Sequence, residues 1–235
     1  SKLVGVGNKL TGTDGHESKY NMIDGYLNIG KNINHVSVIG SENTVEDTDD
    51  ALVLGNKRKL SGAGGSIILG SGDNPITTNV SDVVSIGHNA NVTAAGGVAL
   101  GSSSVASVDK GVIGYDASGT DHSNDTTGVW KSTAAAVSVG KAATPTSAAV
   151  TRQITNVAAG TQDTDAVNVA QLKKVQAAAG AAKVHYYSAK STKTGAGSNY
   201  DNDGAEAEDS IVLGISSSSK GVNRTVLGNN NKLTG

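Results

Sequence analysis

Short apolar runs that end in glycine recur along this chain of 235 residues. Residues 36–40 read Val-Ser-Val-Ile-Gly, and their apolar positions alternate with a period of two, which is typical of a half-buried strand. Because one short strand and one turn cannot bury an apolar face alone, each repeat must stack on its neighbours. The pattern predicts a β-solenoid whose other repeats close at Gly7, Gly30, Gly55, Gly70, Gly87, Gly101, Gly140, Gly214 and Gly228.

A polar turn follows several of the closing glycines, and one more apolar residue follows the turn, as in residues 40–45 and 87–92. Glycine and asparagine tolerate a positive φ, so the chain can reverse sharply there. We therefore expect each coil to contain a strand, a tight turn and a second short strand. Polar stretches of uneven length, notably residues 12–21, 46–50 and 73–82, are expected to project into solvent as loops.

The rhythm changes between residues 111 and 182. The chain's single tryptophan, Trp130, precedes one more repeat at residues 136–140. Residues 161–165 are rich in residues that cap helix N-termini, which predicts a helix cap there. The helix that follows carries a coiled-coil seam at 3, 4, 3 spacing, too short to be stable in isolation, at Leu172, Val175, Ala179 and Ala182.

The composition narrows the classes of function. Thirty-one glycines and no phenylalanine suit thin aliphatic layers better than a thick core, and the net charge of −2 argues against a nucleic-acid partner. No apolar run approaches the roughly 20 residues that span a bilayer. Asn-Lys-Leu-Thr-Gly occurs at residues 8–12 and again at 231–235. We therefore expect the chain to be a piece of a longer tandem array.

Residues 151–173, which read TRQITNVAAGTQDTDAVNVAQLK, closely resemble the neck motif of trimeric autotransporter adhesins. The glycine-closed repeats are similar to those of YadA-like heads. Trp130 with residues 136–140 resembles a Trp-ring module, and residues 185–188 resemble the lead-in to a further head. The resemblance implies a mostly β fold in which trimeric left-handed parallel β-roll heads are joined through a neck and a short coiled-coil helix.

The resemblance also implies an order of segments. Head repeats are expected over residues 1–110, a Trp-ring-like module over 111–150, the neck over 151–173, a short coiled coil and connector over 174–190, and the start of a second head over 191–235. It implies a trimer core and neck formed by Trp130, Ile154, Val157, Val167, Val169, Leu172 and Val175.

The function implied by the resemblance is that of a non-enzymatic adhesin, associated with virulence and needing no cofactor. The expected partners are two further copies of the chain in a homotrimer, and host extracellular matrix, a cell-surface receptor or other bacteria. The expected location is the bacterial cell surface, with an outer-membrane anchor in a C-terminal domain outside this sequence and no membrane contact in this segment. The candidate ligand contacts are the exposed loop residues Asp47, Asp49, Asp50, Asn79 and Asp121.

Candidate chemistry elsewhere leaves alternatives open. The five histidines have no paired spacing and no cysteine to complete a zinc site, so they read as scattered surface residues. The alternative is a trimer axis that brings together three copies of one histidine, with His185 the first candidate for holding an anion or metal. Residues 201–204 resemble a calcium loop only faintly because the ligand ladder is incomplete, which leaves a solvated loop or a calcium site. Trp130 is either a packed ring or an exposed sugar-binding platform.

Two further functions compete with adhesion. A structural spacer or fibre shaft would need the same repeats without a ligand, although long polar loops would serve it little. A left-handed β-helix acyltransferase would also trimerise, but its hexapeptide ladder does not match the uneven repeat spacing seen here. No Gly-x-Ser-x-Gly nucleophile elbow occurs between a strand and a helix.

Overall fold

The computed structural model describes residues 1–181 and 190–234, and the chain divides into two compact units, Ser1–Asn168 and Val169–Gly235. The first unit is a parallel β-solenoid, as the glycine-closed repeats predict. Each complete coil contributes one strand to a first sheet and, after a tight turn, a second short strand to a second sheet.

The first sheet contains eight parallel strands: β1 (Lys2–Val6), β3 (Met22–Tyr26), β5 (Ser37–Ser41), β7 (Leu52–Leu54), β9 (Ile67–Leu69), β11 (Val84–Ile86), β13 (Val98–Leu100) and β15 (Val137–Ser138). The second contains five: β2 (Lys9–Thr11), β4 (Ile29–Lys31), β6 (Thr44–Glu46), β8 (Arg58–Ser61) and β10 (Ile76–Thr78). A separate pair, β12 (Asn91–Val92) and β14 (Val105–Ala106), follows it along the chain. Successive coils thus pair directly with one another.

The core is a set of columns in which equivalent residues of successive coils lie on top of one another. In the first sheet the inward column includes Ile23, Val38, Val53 and Ile68, all buried and all in direct register. In the second sheet Val45 and Leu60 form the facing column. Because these side chains are aliphatic and of similar size, each layer repeats the packing of the one below, and large aromatic rings are not needed.

A column of glycines marks the corner where the chain leaves the first sheet. Gly25 pairs with Gly40, and both have a strongly positive φ. A Cβ atom on Gly40 would lie 1.8 Å from the carbonyl oxygen of Gly55 in the next coil. Glycine is therefore required here both by backbone conformation and by the close approach of the neighbouring coil.

Two glycines predicted to close repeats lie outside the glycine column. In the first coil Gly5, and not Gly7, pairs with Gly25. Gly30 lies in β4 of the second sheet, where it pairs with Leu10 and Val45 instead of joining the glycine column. Gly25 occupies the column in that coil. The sequence pattern was misleading because an apolar residue also precedes Gly30, whereas Gly25 follows an aspartate.

An asparagine ladder supports the turn after the glycine column. The Oδ1 atom of Asn28 accepts hydrogen bonds from the backbone and side-chain nitrogens of Asn43, at 3.1 and 2.9 Å. Asn43 Nδ2 in turn donates to the carbonyl of Gly55 at 2.7 Å. Each buried amide therefore bonds both the coil before it and the coil after it, which leaves its polar atoms satisfied inside the solenoid.

Arg58 replaces asparagine at the next position of this ladder and is fully buried. Its guanidinium donates to three carbonyl oxygens of later coils, those of Gly70 at 2.6 Å, Ala90 at 2.6 Å and Gly87 at 3.2 Å. Burial lowers the pKa of this guanidinium. The single side chain of Arg58 thus donates to three carbonyl oxygens, whereas each asparagine of the ladder donates to the carbonyl of one following coil.

The second unit begins with helix α1 (Val169–Ala181) and contains two parallel strand pairs. Strand β16 (Ile211–Leu213) pairs with β18 (Thr225–Leu227), and β17 (Ser218–Ser219) pairs with β19 (Lys232–Leu233). A Cβ atom on Gly214 would lie 1.9 Å from the carbonyl oxygen of Gly228, so the glycine column recurs.

The predicted helix cap within residues 161–165 is wrong, since α1 begins only at Val169. Asp165 instead closes a turn, because its Oδ2 accepts hydrogen bonds from the backbone nitrogens of Thr161 and Gln162 at 2.9 and 3.0 Å. The last position of the predicted coiled-coil seam, Ala182, lies outside the described residues.

The glycine column predicts a sharp sensitivity to an added methyl group. We expect Gly40→Ala to lower the free energy of unfolding by at least about 3 kcal/mol, because it combines an unfavourable φ with a collision against the next coil. Gly15→Ala is the matched control, since Gly15 also has a positive φ but open space around it. It should lose only about 1–2 kcal/mol. Urea denaturation measures the free energy of unfolding of both variants. If Gly40→Ala and Gly15→Ala lost equal amounts, the close approach of the next coil at Gly40 would not be what requires glycine there.

The buried arginine makes a second prediction about stability. Arg58→Met keeps much of the buried volume but leaves three carbonyl oxygens without their donor, so the free energy of unfolding should fall by about 3 kcal/mol or more. Its neighbour Lys59 is exposed, and Lys59→Met should change stability by less than about 0.5 kcal/mol. Thermal unfolding followed by circular dichroism measures both. If Arg58→Met left the free energy of unfolding unchanged, the three carbonyl oxygens would have found other hydrogen-bond donors.

Candidate adhesion surface

The outer face of the first sheet carries two apolar columns along successive coils. Each column lies one residue to either side of the buried inward column. From β3 onwards Asp24 and Ser37 interrupt these columns. The apolar residues of the columns are exposed or half-buried, and they are Met22, Ile39, Leu52, Leu54, Ile67, Leu69, Val84, Ile86, Val98, Leu100 and Val137. This surface is called the outer apolar face below.

An all-parallel sheet normally has both of its faces covered. In the first unit the inner face of the sheet packs against the solenoid's own core, whereas no other part of the unit covers the outer apolar face. Contiguous apolar patches of this kind mark surfaces that bind other proteins. The outer apolar face is therefore a candidate surface for assembly.

The acidic loop residues singled out from the sequence lie at turns between coils and bond the preceding coil. Asp47 Oδ1 accepts a hydrogen bond from Asn32 Nδ2 at 2.8 Å, and Asp49 Oδ1 accepts one from the backbone nitrogen of Asn34 at 2.7 Å. Asp50 lies 3.4 Å from His35 Nδ1. Asp47 and Asp50 are exposed and Asp49 is half-buried. All three thus stabilise turns while presenting part of a carboxylate to solvent.

Asn79 is exposed directly after β10. The prediction of a projecting loop over residues 73–82 is wrong for Ile76–Thr78, because β10 pairs there with β8. At the start of this stretch Asp73 is held by the next coil, because Asn89 Nδ2 donates to its Oδ2 at 2.6 Å and His88 Nε2 lies 3.2 Å from its Oδ1. The hydrogen bond from Asn89 is the main cause of a lowered pKa of Asp73. The structure does not bring Asn79 together with the other loop candidates in a common pocket.

A hairpin of residues 108–136 departs from the solenoid between β14 and β15. Its stem is held by backbone hydrogen bonds from Ala136 to Val108, from Gly111 to Ser132 and from Gly114 to Trp130, at 3.0, 2.7 and 2.7 Å. Ile113 and Lys131 form an antiparallel bridge in the same stem. This segment, called the 108–136 hairpin below, is ordered by its own hydrogen bonds.

Trp130 and His122 stack at the tip of the 108–136 hairpin, with ring centroids 4.4 Å apart and planes at 8°. His122 Nε2 also lies 2.8 Å from Asp116 Oδ2, and the side chains of both residues are mostly buried. The hydrogen bond with His122, followed by those from Ser118, lowers the pKa of Asp116 to about 2. Trp130 is therefore packed on one side and remains 38% exposed overall.

Two more aspartates fold the tip by the same local motif. Asp125 Oδ1 accepts hydrogen bonds from the side chain and backbone of Thr127, and its Oδ2 accepts one from the backbone nitrogen of Trp130 at 2.8 Å. These bonds lower the pKa of Asp125 to about 2. Asp121, a predicted ligand contact, is exposed, and bonds from the backbone and hydroxyl of Ser123 lower its pKa.

Sequence reasoning selected Trp130 and Asp121 in this region but missed the partners of the tryptophan, His122 and Asp116. A signal was present, because Asp-x-Ser or Asp-x-Thr occurs three times within residues 116–127. Each such motif closes a small turn through side-chain to backbone hydrogen bonds. The spacing alone did not indicate which ring would stack on Trp130.

The start of the predicted neck, residues 151–173, is fixed to the last coil by Arg152. Its guanidinium donates to Ser104 Oγ at 3.0 Å and to the carbonyl of Ser102 at 2.7 Å. A Cβ atom on Gly101 would lie 3.0 Å from Arg152 Cζ, so the guanidinium covers the end of the glycine column. A side chain of the neck thus takes the place of a further coil.

The apolar residues predicted for the trimer core and neck are largely uncovered in a single chain. In the first unit Ile154 and Val167 are exposed and Val157 is half-buried. In the second unit α1 has no buried residue, and Val169, Leu172 and Val175 are all exposed. A helix of 13 residues with no covered apolar side chain is marginal alone. These residues therefore have the exposure expected of an unassembled interface.

The described histidines and acids do not converge on an ion site. Across residues 1–181 and 190–234, no group of three or more His, Asp, Glu or Cys side chains is arranged to hold a metal ion. His185 lies outside the described residues, as do the aromatic residues next to it. Helices in the described part of the chain are too short or too polar to cross a membrane.

Comparisons with known proteins match parts of the chain. A family model described as the coiled stalk of trimeric autotransporter adhesin matches residues 153–195. The chain is also 56% identical over 79 residues to the autotransporter adhesin BadA of Bartonella henselae. That match covers 34% of this chain and 2% of BadA, so the chain spans only a small part of the length of this relative.

The lowered pKa values of Asp116 and Asp125 predict that the tip of the 108–136 hairpin opens at low pH. Because the pKa values of Asp116 and Asp125 are about 2 in the folded chain against an ordinary 3.8, their stabilisation is complete above about pH 4. It is lost as the pH falls towards 2. Trp130 is the chain's only tryptophan, and its fluorescence should move to longer wavelength over this range.

The control for this titration separates the hairpin from general acid effects. Asp116→Asn with Asp125→Asn should shift the Trp130 emission already at neutral pH and flatten its response between pH 4 and 2. Asp14→Asn, at an exposed position in another loop, should leave the titration unchanged. Identical titrations for all three proteins would contradict the assignment.

Proposed function

We propose that this chain, which matches the coiled stalk of trimeric autotransporter adhesins over residues 153–195 and part of BadA, is a member of that family and forms a rigid, non-enzymatic segment of a bacterial surface fibre. Three copies would associate into a β-roll head followed by a neck and a short coiled coil. The fibre would be anchored in the outer membrane through a part of the protein outside this chain. Its role would be attachment to host matrix, to host cells or to other bacteria.

The outer apolar face is the observation that carries the proposal. It runs along the same sheet whose inner face forms the core, and aliphatic residues such as Ile39, Leu54 and Ile86 remain exposed on it in the single chain. Burying such side chains stabilises an assembly by about 25 cal/mol per Å² of apolar area. Three copies arranged around one axis would cover the outer apolar face of each.

The neck and helix support the same assembly. Ile154 and Val167 in the first unit, and Leu172 and Val175 in the second, are exposed apolar residues without a covering partner in the described chain. Equivalent residues of three chains would meet at an axis and bury one another. The exposed seam of α1 is then a coiled-coil core rather than an unstable surface.

Adhesion would use the polar residues that project away from the outer apolar face. We propose Asp47, Asp49, Asp50, Asn79 and Asp121 as ligand contacts. Their carboxylates and amide are presented on rigid turns, so little conformational entropy would be lost on binding. Three copies per fibre and many fibres per cell would add weak contacts through avidity.

A structural spacer is the second candidate, and one observation favours it. Asp47 and Asp49 already accept hydrogen bonds from the preceding coil, so part of their role is to hold the turns. A shaft without its own ligand would need these turns for rigidity alone. A binding measurement on the assembled trimer distinguishes the two functions.

The first experiment measures the solution mass by light scattering and then the binding of the same sample. The mass should be three times the 23.4 kDa of one chain. Leu54→Lys should give a folded monomer, because a charge on the outer apolar face opposes association. Thr77→Lys is the matched control on the second sheet, where Thr77 is exposed, and it should remain a trimer.

Binding is then measured on beads that carry the trimer, against collagen, fibronectin and cultured cells. Asn79→Ala with Asp121→Ala should weaken adhesion without changing the mass. A trimer that binds none of these surfaces would favour the spacer. A folded wild-type monomer at micromolar concentration would contradict the proposed assembly itself.

A further inference from the structure

We infer that the 108–136 hairpin is an intermolecular clamp, whose apolar stem packs against the first unit of a neighbouring copy of this chain. The inference rests on the proposed trimer and goes beyond it, because it assigns a partner to an element outside the solenoid coils. It assigns the stem of the hairpin to assembly, whereas the proposed ligand contact Asp121 lies at the tip of the same hairpin.

The hairpin carries an unusual concentration of uncovered apolar side chains. Val112 and Ile113 on one strand of the stem are exposed, as is Val129 on the other. Tyr115 is 90% exposed, the highest value among the large apolar residues of the described chain. In the first unit itself nothing buries these groups, so the chain's own fold does not explain them.

The polar groups of the tip, in contrast, are already satisfied. Asp116, Asp121 and Asp125 each accept hydrogen bonds from serine, threonine or histidine within the tip. Lys131 Nζ donates to the carbonyl of Ser123 at 2.7 Å. What the hairpin offers a partner is therefore mainly apolar surface on a preorganised loop. Permanent interfaces between copies are more apolar than contacts with transient partners.

The position of the hairpin favours a second copy as that partner. Its base is bonded to the last coil, because Val98 N in β13 donates to the carbonyl of Ala136 at 3.1 Å. The next residue, Val137, pairs with Val98 and is itself an exposed member of the outer apolar face. The apolar surface of the stem thus continues the surface through which copies are proposed to associate.

Cysteine crosslinking tests the clamp directly, because the chain contains no cysteine. Tyr115→Cys is labelled with a maleimide that carries a benzophenone, and the 235-residue protein is illuminated at a concentration where its mass is measured in parallel. We expect most of the labelled chains to run as covalent dimers and trimers on a denaturing gel. Tyr20→Cys is the matched control, an exposed tyrosine of another loop, and should stay mostly monomeric.

The outcomes separate the inference from the proposed function. A trimer by mass in which Tyr115→Cys gives no more crosslink than Tyr20→Cys overturns the clamp alone. A monomer by mass contradicts both. Crosslinks that form only after collagen or fibronectin is added would assign the stem to an external ligand and also overturn the clamp.

Two further variants test whether the crosslink depends on the hairpin stem and on assembly. Ile113→Asp added to Tyr115→Cys should abolish the crosslink while the mass stays trimeric, because one stem contact is lost but the outer apolar face is intact. Trp130 fluorescence gives a readout without labelling. The monomeric Leu54→Lys variant should emit at longer wavelength than the wild-type trimer, whereas equal emission would count against a covered hairpin.

Discussion

The first unit depends on how closely successive coils approach at the glycine column. A side chain on Gly25 or Gly40 would lie within 2 Å of a carbonyl oxygen of the next coil, so the spacing at this corner is set by backbone contact alone. That spacing fixes the register of the parallel strands. With the register fixed, Val38 lies over Val53 in the inward column and Asn28 lies over Asn43 in the asparagine ladder.

The same constraint explains why buried polar groups are tolerated. In a solenoid the interior turn needs donors and acceptors at each coil, and the asparagine ladder supplies both from one side chain. Arg58 shows how the ladder adapts where coil length changes. From Gly70 to Gly87 the register spans a longer coil than the preceding ones, and the long side chain of Arg58 reaches carbonyls on both sides of this step. Because each of its three nitrogens donates a hydrogen bond, the buried guanidinium avoids the penalty of an unpaired one.

Repetition also dictates what the molecule presents outward. Because alternate residues of a strand face opposite sides, a strand of three aliphatic residues buries one and exposes two. Repeated over the first sheet, this gives the outer apolar face, which suits three copies around an axis. The polar turns point elsewhere and repeat at each coil, which suits many weak contacts along a fibre. Under the proposed function, assembly uses the outer apolar face and adhesion uses the polar turns, and the stem of the 108–136 hairpin extends the assembly surface beyond the coils.

The sequence by itself determined the parallel solenoid, its coil plan of two short strands and the resemblance to trimeric autotransporter adhesins, because glycine-closed apolar runs and the residues of 151–173 are local patterns. It also identified Trp130 and the exposed loop acids as distinctive. Only the tertiary structure decided that Gly25 rather than Gly30 joins the glycine column, since the residue before Gly30 is apolar and the residue before Gly25 is an aspartate. It alone stacked His122 on Trp130 and placed Arg58 against carbonyls up to 32 residues away. The register of the coils fixes the contacts of Arg58, and the turns of the 108–136 hairpin fix the stack of His122 on Trp130, so neither pairing follows from the sequence pattern around one residue.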